Sequence, residues 1–145
     1  MVSQILQTLR RFIILVSLMF WQGGFMFYGG VVVSVGSQVL GSDTQQGFIT
    51  QAVTNALNVA GLVCLMAWGA NLCWERRDVS RFEWGTWGTI FVLLIALVVI
   101  HLGMDVVLDV KSTSVTNHVR FGMYHKMYIG ISSLQWVLSL SLLDL

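Results

Sequence analysis

The sequence predicts an all-α fold, an integral membrane up-down four-helix bundle, and three observations carry that prediction. First, 56% of its 145 residues are hydrophobic and only 10% are charged, with a mean hydropathy of +0.77, whereas a soluble domain carries about a quarter charged residues. Second, the apolar residues fall into four runs, each long enough to cross a bilayer, for which about 20 residues suffice. Third, the connections between the runs are short, so consecutive helices are antiparallel neighbours in a single transmembrane domain.

Taken in order, the runs are Phe12 to Val39, Phe48 to Trp74, Trp84 to Val110 and Val119 to Leu143. Between them, Leu40 to Gly47 is polar and Gly-rich, Glu75 to Glu83 is charged, and Lys111 to His118 is rich in Ser and Thr. Arg10-Arg11 ahead of Phe12 to Phe20 imitates a signal peptide, but the apolar run continues to Val35 with no small-residue cleavage site, so it reads as an uncleaved span. The chain contains no proline, which removes the commonest cause of a kink. Cys64 and Cys73 lie on one predicted helix, roughly 13 Å apart along its axis and beyond disulfide reach.

Charge sets orientation and excludes one class of partner. Arg10, Arg11, Arg76, Arg77 and Arg81 sit on the side of the N-terminus, against Lys111, Arg120 and Lys126 on the other, so both termini are expected in the cytoplasm of a multi-pass plasma (inner) membrane protein. The formal net charge of +1 offers no basic surface, and nucleic acid is not an expected partner. The lipid bilayer is.

A charge in hydrocarbon needs a partner or a wet cavity, so ionisable residues inside the spans are functional candidates. His101, Asp105 and Asp109 are spaced to lie one above another on one helical face. The second span places Gln51, Asn55 and Asn58 on one face, which turns apolar at Leu62 and Leu65. The fourth brings in His118, Arg120, Tyr124, His125, Lys126 and Tyr128. His101 and His125 reach similar depth on adjacent antiparallel helices, so the outer half is expected to hold a polar pocket of His101, Asp105, His125, Gln51, Asn55, Asn58 and Tyr124 over an apolar inner plug. Asp109 falls at the membrane surface, where a solvated charge costs little.

Four uses of that pocket are compatible with the residue types. His101 can bond Asp105, or an Asn or Tyr of a neighbouring helix, as interhelical glue. His101, Asp105 and His125 form a mixed imidazole and carboxylate set that suits a divalent metal, although no HExxH-type spacing is present. His101 and His125 can ligate haem b between two spans, with Gly103, Gly122 and Gly130 making room. His101 and Asp105 can change charge as a relay for a proton or solute.

Other features read as structural. Gly23, Gly30, Ser34 and Ser37 form a small-residue stripe expected to be a packing seam within the bundle or between protomers of a homo-oligomer or larger membrane complex. Trp74, Trp84 and Trp87 read as interfacial anchors. Gln135 is expected to bond another helix. No GxGxxG, P-loop or GxSxG motif is present, and Ser34, Ser132, Ser133 and Ser139 have no motif pairing them with a base, so an enzyme is not expected.

The segment Phe20-Trp21-Gln22-Gly23-Gly24-Phe25-Met26-Phe27-Tyr28-Gly29-Gly30-Val31-Val32-Val33, then Gln46-Gly47-Phe48-Ile49-Thr50 and Asn55-Ala56-Leu57-Asn58, resembles bacterial members of the transmembrane protein 205-like family. Tyr124-His125-Lys126-Met127-Tyr128 followed by Ser132-Ser133-Leu134-Gln135-Trp136 is similar to that family's last span. The resemblance implies a four-span membrane protein and carries over no cofactor and no catalytic residue. Together these readings lead to a non-catalytic membrane protein that binds or passes a cation or small polar solute. The alternatives are a structural or accessory subunit assembling through the first-span glycine face, and a bis-histidine haem protein.

Overall fold

The computed structural model describes residues 2–75, 79–109 and 114–140. They form an all-helical fold: α1 (Val2–Phe27), a π-helical turn (Tyr28–Val32), α2 (Val33–Leu40), α3 (Asp43–Trp74), α4 (Arg81–Asp105) and α5 (His118–Leu140). Three helical stretches, Gln4–Leu40, Asp43–Trp74 and Arg81–Asp105, are long and apolar enough to cross a membrane. Val110 and residues 141–143, expected at the ends of the third and fourth spans, lie outside the described residues, as do Arg76, Arg77 and Lys111 from the orientation count.

Each boundary has a local cause. The first helical stretch runs through α1 and α2 to Leu40 and stops because Gly41 takes φ 61°, a left-handed conformation that a Cβ disfavours. Ser42 caps α3 by accepting from the Gln45 N–H at 3.3 Å. Ser80 and Glu83 form a reciprocal capping box at the start of α4, each side chain satisfying an amide the helix leaves open. Asn117 caps α5, its Oδ1 accepting from the Arg120 N–H at 3.0 Å.

Without proline the first stretch still departs from α geometry. Tyr28–Val32 is π-helical and contains Gly29 and Gly30, the residues that restrain backbone geometry least. The third run also ends earlier than expected. Helix α4 stops at Asp105, and Leu108–Asp109 (β1) pairs antiparallel with Ser114–Val115 (β2). The Val107 carbonyl accepts from both the backbone N–H and the hydroxyl of Thr116, at 3.0 and 2.9 Å. Asp109 therefore belongs to a short hairpin, and the three-residue helical face of His101, Asp105 and Asp109 shrinks to its first two members.

The helices pack in the cyclic order α1, α3, α4, α5, with α1 and α5 touching least. The main core joins Leu18, Trp21, Leu65, Trp68, Leu72, Ile90 and Leu94. A second cluster lies towards the C-terminal end of α4, built from Leu97, Ile100, Met104 and Tyr128. Glycines allow the closest approaches: a Cβ on Gly61 would collide with the Trp21 indole, and one on Gly69 would come within 2.9 Å of the Trp87 ring. Trp87 also donates from Nε1 to the Leu65 carbonyl at 2.9 Å and stacks on Phe91. It is a bundle component as much as an anchor.

Of the expected first-span seam Gly23, Gly30, Ser34 and Ser37, only Ser37 is half-buried, on the cavity side of α2. Gly23, Gly30 and Ser34 are exposed, and a Cβ at Gly23 or Gly30 would meet nothing within 4 Å. The close contacts come instead from Gly24, against Leu57, and Gly36, against Gln46.

Polar side chains are buried alongside the apolar core while many large apolar ones face outward. Buried polar residues include Gln22, Gln46, Thr54, Asn58, Thr86, His101 and Gln135, while Phe20, Val39, Val63, Val92 and Val119 are each more than 60% exposed. Buried amides and hydroxyls knit the helices. Tyr128 Oη donates to Asn58 Oδ1 at 3.0 Å, and Gln135 Nε2 donates to the Ile90 carbonyl at 3.0 Å. Tyr128→Phe is expected to cost about 1 kcal/mol, the usual worth of an interhelical bond between spans, with Asn58→Leu/Tyr128→Phe less than additive in a double-mutant cycle read by detergent unfolding.

Candidate functional site

A cavity of about 220 Å³ opens where α2, the N-terminal half of α3, the end of α4 and the start of α5 meet. Four of the residues expected there line it, namely His101, Asp105, His125 and Gln51. The π-helical turn sits just before α2, and α2 contributes Val33 and Ser37 to the wall. Such turns recur at functional sites because they re-aim the residues that follow.

Asp105 is the anchor of the site. Gln51 Nε2 donates to its Oδ1 at 2.7 Å, the short distance of a charge-assisted bond. The His101 Nε2 lies 3.8 Å from the same oxygen, too far for a hydrogen bond. Neither ring nitrogen of His101 has a hydrogen-bond partner among the described residues, although the side chain is 3% exposed. An unsatisfied buried polar group costs about 1–3 kcal/mol, so a polar occupant of the cavity would find an imidazole with donor and acceptor capacity unspent. His101 is thus not the interhelical glue that its position suggested; that work falls to Gln51–Asp105 and Asn58–Tyr128.

The polar stripe of α3 keeps Gln51 and Asn58 of the expected face but has Thr54 in place of Asn55. Gln46, Thr50 and Thr54 line the cavity, each four residues after the last, and Asn58 continues the series below. Gln46 Nε2 donates to Tyr28 Oη at 3.3 Å, and Tyr28 Oη donates to Thr50 Oγ1 at 3.3 Å. Asn55 points away and is exposed, Leu62 is 46% exposed, and Tyr124 packs against Gly103 instead of lining the cavity. The four-residue spacing of Gln46, Thr50, Thr54 and Asn58 was the signal that identifies this face. The acidic residue Asp43, in the first turn of α3, also reaches the wall.

The charge of the lining is one-sided. Among the described residues it contains two carboxylates, Asp43 and Asp105, and no Lys or Arg. The metal centre expected from His101, Asp105 and His125 is not assembled: among the described residues no group of three His, Cys, Asp or Glu side chains is placed to hold an ion. His125 is exposed and stacked on Phe121, with ring centroids 6.2 Å apart. A cavity of about 220 Å³ falls below the roughly 300–1,000 Å³ of sites for drug-sized ligands, leaving no slot for a haem between the two imidazoles.

The inner half is not a closed plug. A groove of about 620 Å³ runs between α1 and α5 at the opposite end of the bundle, lined mostly by apolar side chains and bounded by Arg11, Glu75 and Glu83. At that end Glu75 takes ion pairs from Arg10 at 3.1 Å and Arg11 at 3.3 Å.

Fold and cavities define a helical protein with three candidate membrane-crossing helices and polar side chains turned inward. No family model, curated protein or solved structure matches the chain.

Proposed function

We propose that this chain is a four-span, non-catalytic plasma membrane protein with both termini in the cytoplasm, and that it binds or passes a small monocation at the Asp105 cavity. The observation that carries the reading is the convergence of Asp105, Gln51 and His101 on a cavity whose lining, among the described residues, holds two carboxylates and no Lys or Arg. A protonated amine or partly hydrated monovalent ion gains the Asp105 carboxylate as counter-charge and His101 as an acceptor. The many exposed large apolar residues support the membrane setting, because large contiguous apolar surfaces are rare on soluble monomers. Exposed apolar positions on α5, including Val119, Met123, Met127, Leu134 and Val137, support its role as the fourth span.

The test is calorimetric titration of the nanodisc-reconstituted protein with methylammonium, guanidinium and potassium chlorides. Saturable binding of at least one of them is expected; no heat from any of the three would remove the reading.

A second reading, assembly through the first span, is favoured by the exposed small residues Gly23, Gly30 and Ser34. If that face holds a second copy, Gly30→Leu leaves helix content unchanged but shifts the cross-linked species in native membranes from dimer to monomer.

A further inference from the structure

The groove of about 620 Å³ between α1 and α5 is larger than the Asp105 cavity, and nothing in the cation reading uses it. Its wall on α1 runs from Thr8 and Arg11 to Gln22 and Gly23. Arg11 and Gln22 are eleven residues apart, about 16 Å along a helix at roughly 1.5 Å per residue. One leaflet of hydrocarbon is about 15 Å thick, half of a core of about 30 Å. Leu15, Leu18 and Met19 supply the apolar floor between those ends, and Gln22, 5% exposed, is where the apolar wall stops.

The charged end carries both signs. Arg11 has a half-exposed side chain whose 3.3 Å pair is with a Glu75 that is 11% exposed and also paired to Arg10 at 3.1 Å; a guanidinium has five N–H donors to share. Glu75 and Glu83 line the same end. Glu83 is held in place by the Ser80 N–H, which donates to its Oε2 at 2.7 Å. A phosphate fits Arg11, and a primary ammonium with three N–H donors fits the two carboxylates. A choline head has no N–H to give, and a glycerol head offers the carboxylates hydroxyls but no cation.

We propose that this groove is a phospholipid site, in which one acyl chain lies between α1 and α5 while an ethanolamine headgroup spans Arg11 and the Glu75–Glu83 pair. The site rests on the membrane-spanning reading but not on cation binding. It places the lipid in the leaflet on the side of the N-terminus, entering through the seam where the helix ring is least closed.

Native mass spectrometry of the full-length protein, released from nanodiscs holding equal amounts of ethanolamine, choline and glycerol phospholipids, tests it. One ethanolamine lipid per chain is expected to be retained over the other two by about tenfold, the worth of one charge-assisted hydrogen bond. Glu83→Gln erases that preference while keeping a side-chain acceptor for the capping box, whereas Arg11→Gln weakens retention of all three lipids, which share the phosphate. Gly23→Leu, at a position where a Cβ meets nothing within 4 Å, fills the deep end and removes the retained lipid with helix content unchanged. Equal retention of choline lipid, preference for glycerol lipid, or retention untouched by Gly23→Leu would each overturn the proposal. Carbonate extraction separates the two levels: release of the chain from membranes defeats the membrane reading, whereas a chain that stays in membranes without a selected lipid defeats the groove alone.

Discussion

Gly61→Ala is expected to destabilise the bundle by about 1–3 kcal/mol, the usual cost of overpacking a core, even though alanine is the better helix former by about 1 kcal/mol. The reason is the position of Trp21. Its ring is fully buried and lies directly over Gly61, so a new Cβ has no space unless the indole or one of the two helices moves. Trp21 and Leu65 are both fully buried in the main core, and shifting either strains the contacts around it. Gly85→Ala is the matched control, since a Cβ there meets nothing within 4 Å. That substitution should raise stability by about 0.5–1 kcal/mol. Unfolding of both variants in mixed micelles, followed by tryptophan fluorescence, should move in opposite directions. Equal shifts would mean that α1 and α3 do not meet through Trp21 and Gly61.

Asp105→Asn is expected to weaken binding of the small monocation by about 1.5–3 kcal/mol, roughly 10- to 100-fold in Kd. Asparagine keeps the shape of the side chain and an oxygen for Gln51 Nε2, so the α3–α4 bond of 2.7 Å survives in neutral form and the fold is preserved. What disappears is the counter-charge in a partly dry cavity, where it counts for more than in water. Gln51→Leu should act more gently, because it frees the Asp105 carboxylate from its donor but leaves its charge. Calorimetry on the two variants, with circular dichroism as a check on folding, separates charge from positioning.

The helical architecture was legible because composition and run length are properties of the whole chain, and hairpin lengths leave little freedom in how helices pair. Helix ends were less legible. Val106 to Val110 continues the apolar run without a breaker, and only the pairing of Leu108–Asp109 with Ser114–Val115 shows that the helix has already ended. The cavity was half legible. His101 and Asp105 stood out as ionisable residues in apolar surroundings, and Gln51 fell in with them. Asn55 was assigned to the site because it lies four residues after Gln51, but the face that turns inward is set by neighbouring helices. On that face the series Gln46, Thr50, Thr54, Asn58 continues into Gly61 and Leu65, all of them half-buried or buried. The groove at the other end had no local signature, since its lining comes from helices that are distant in sequence and its walls are ordinary apolar residues.

The most direct test of the cation site is nuclear magnetic resonance of the protein labelled with ¹⁵N at its three histidines, reconstituted in lipid and titrated with methylammonium. The ring resonances of His101 are expected to shift saturably in the native chain and to stay fixed in Asp105→Asn. Ring signals of His101 that do not respond, or that respond equally in the two proteins, would contradict the assignment of the Asp105 cavity as the cation site.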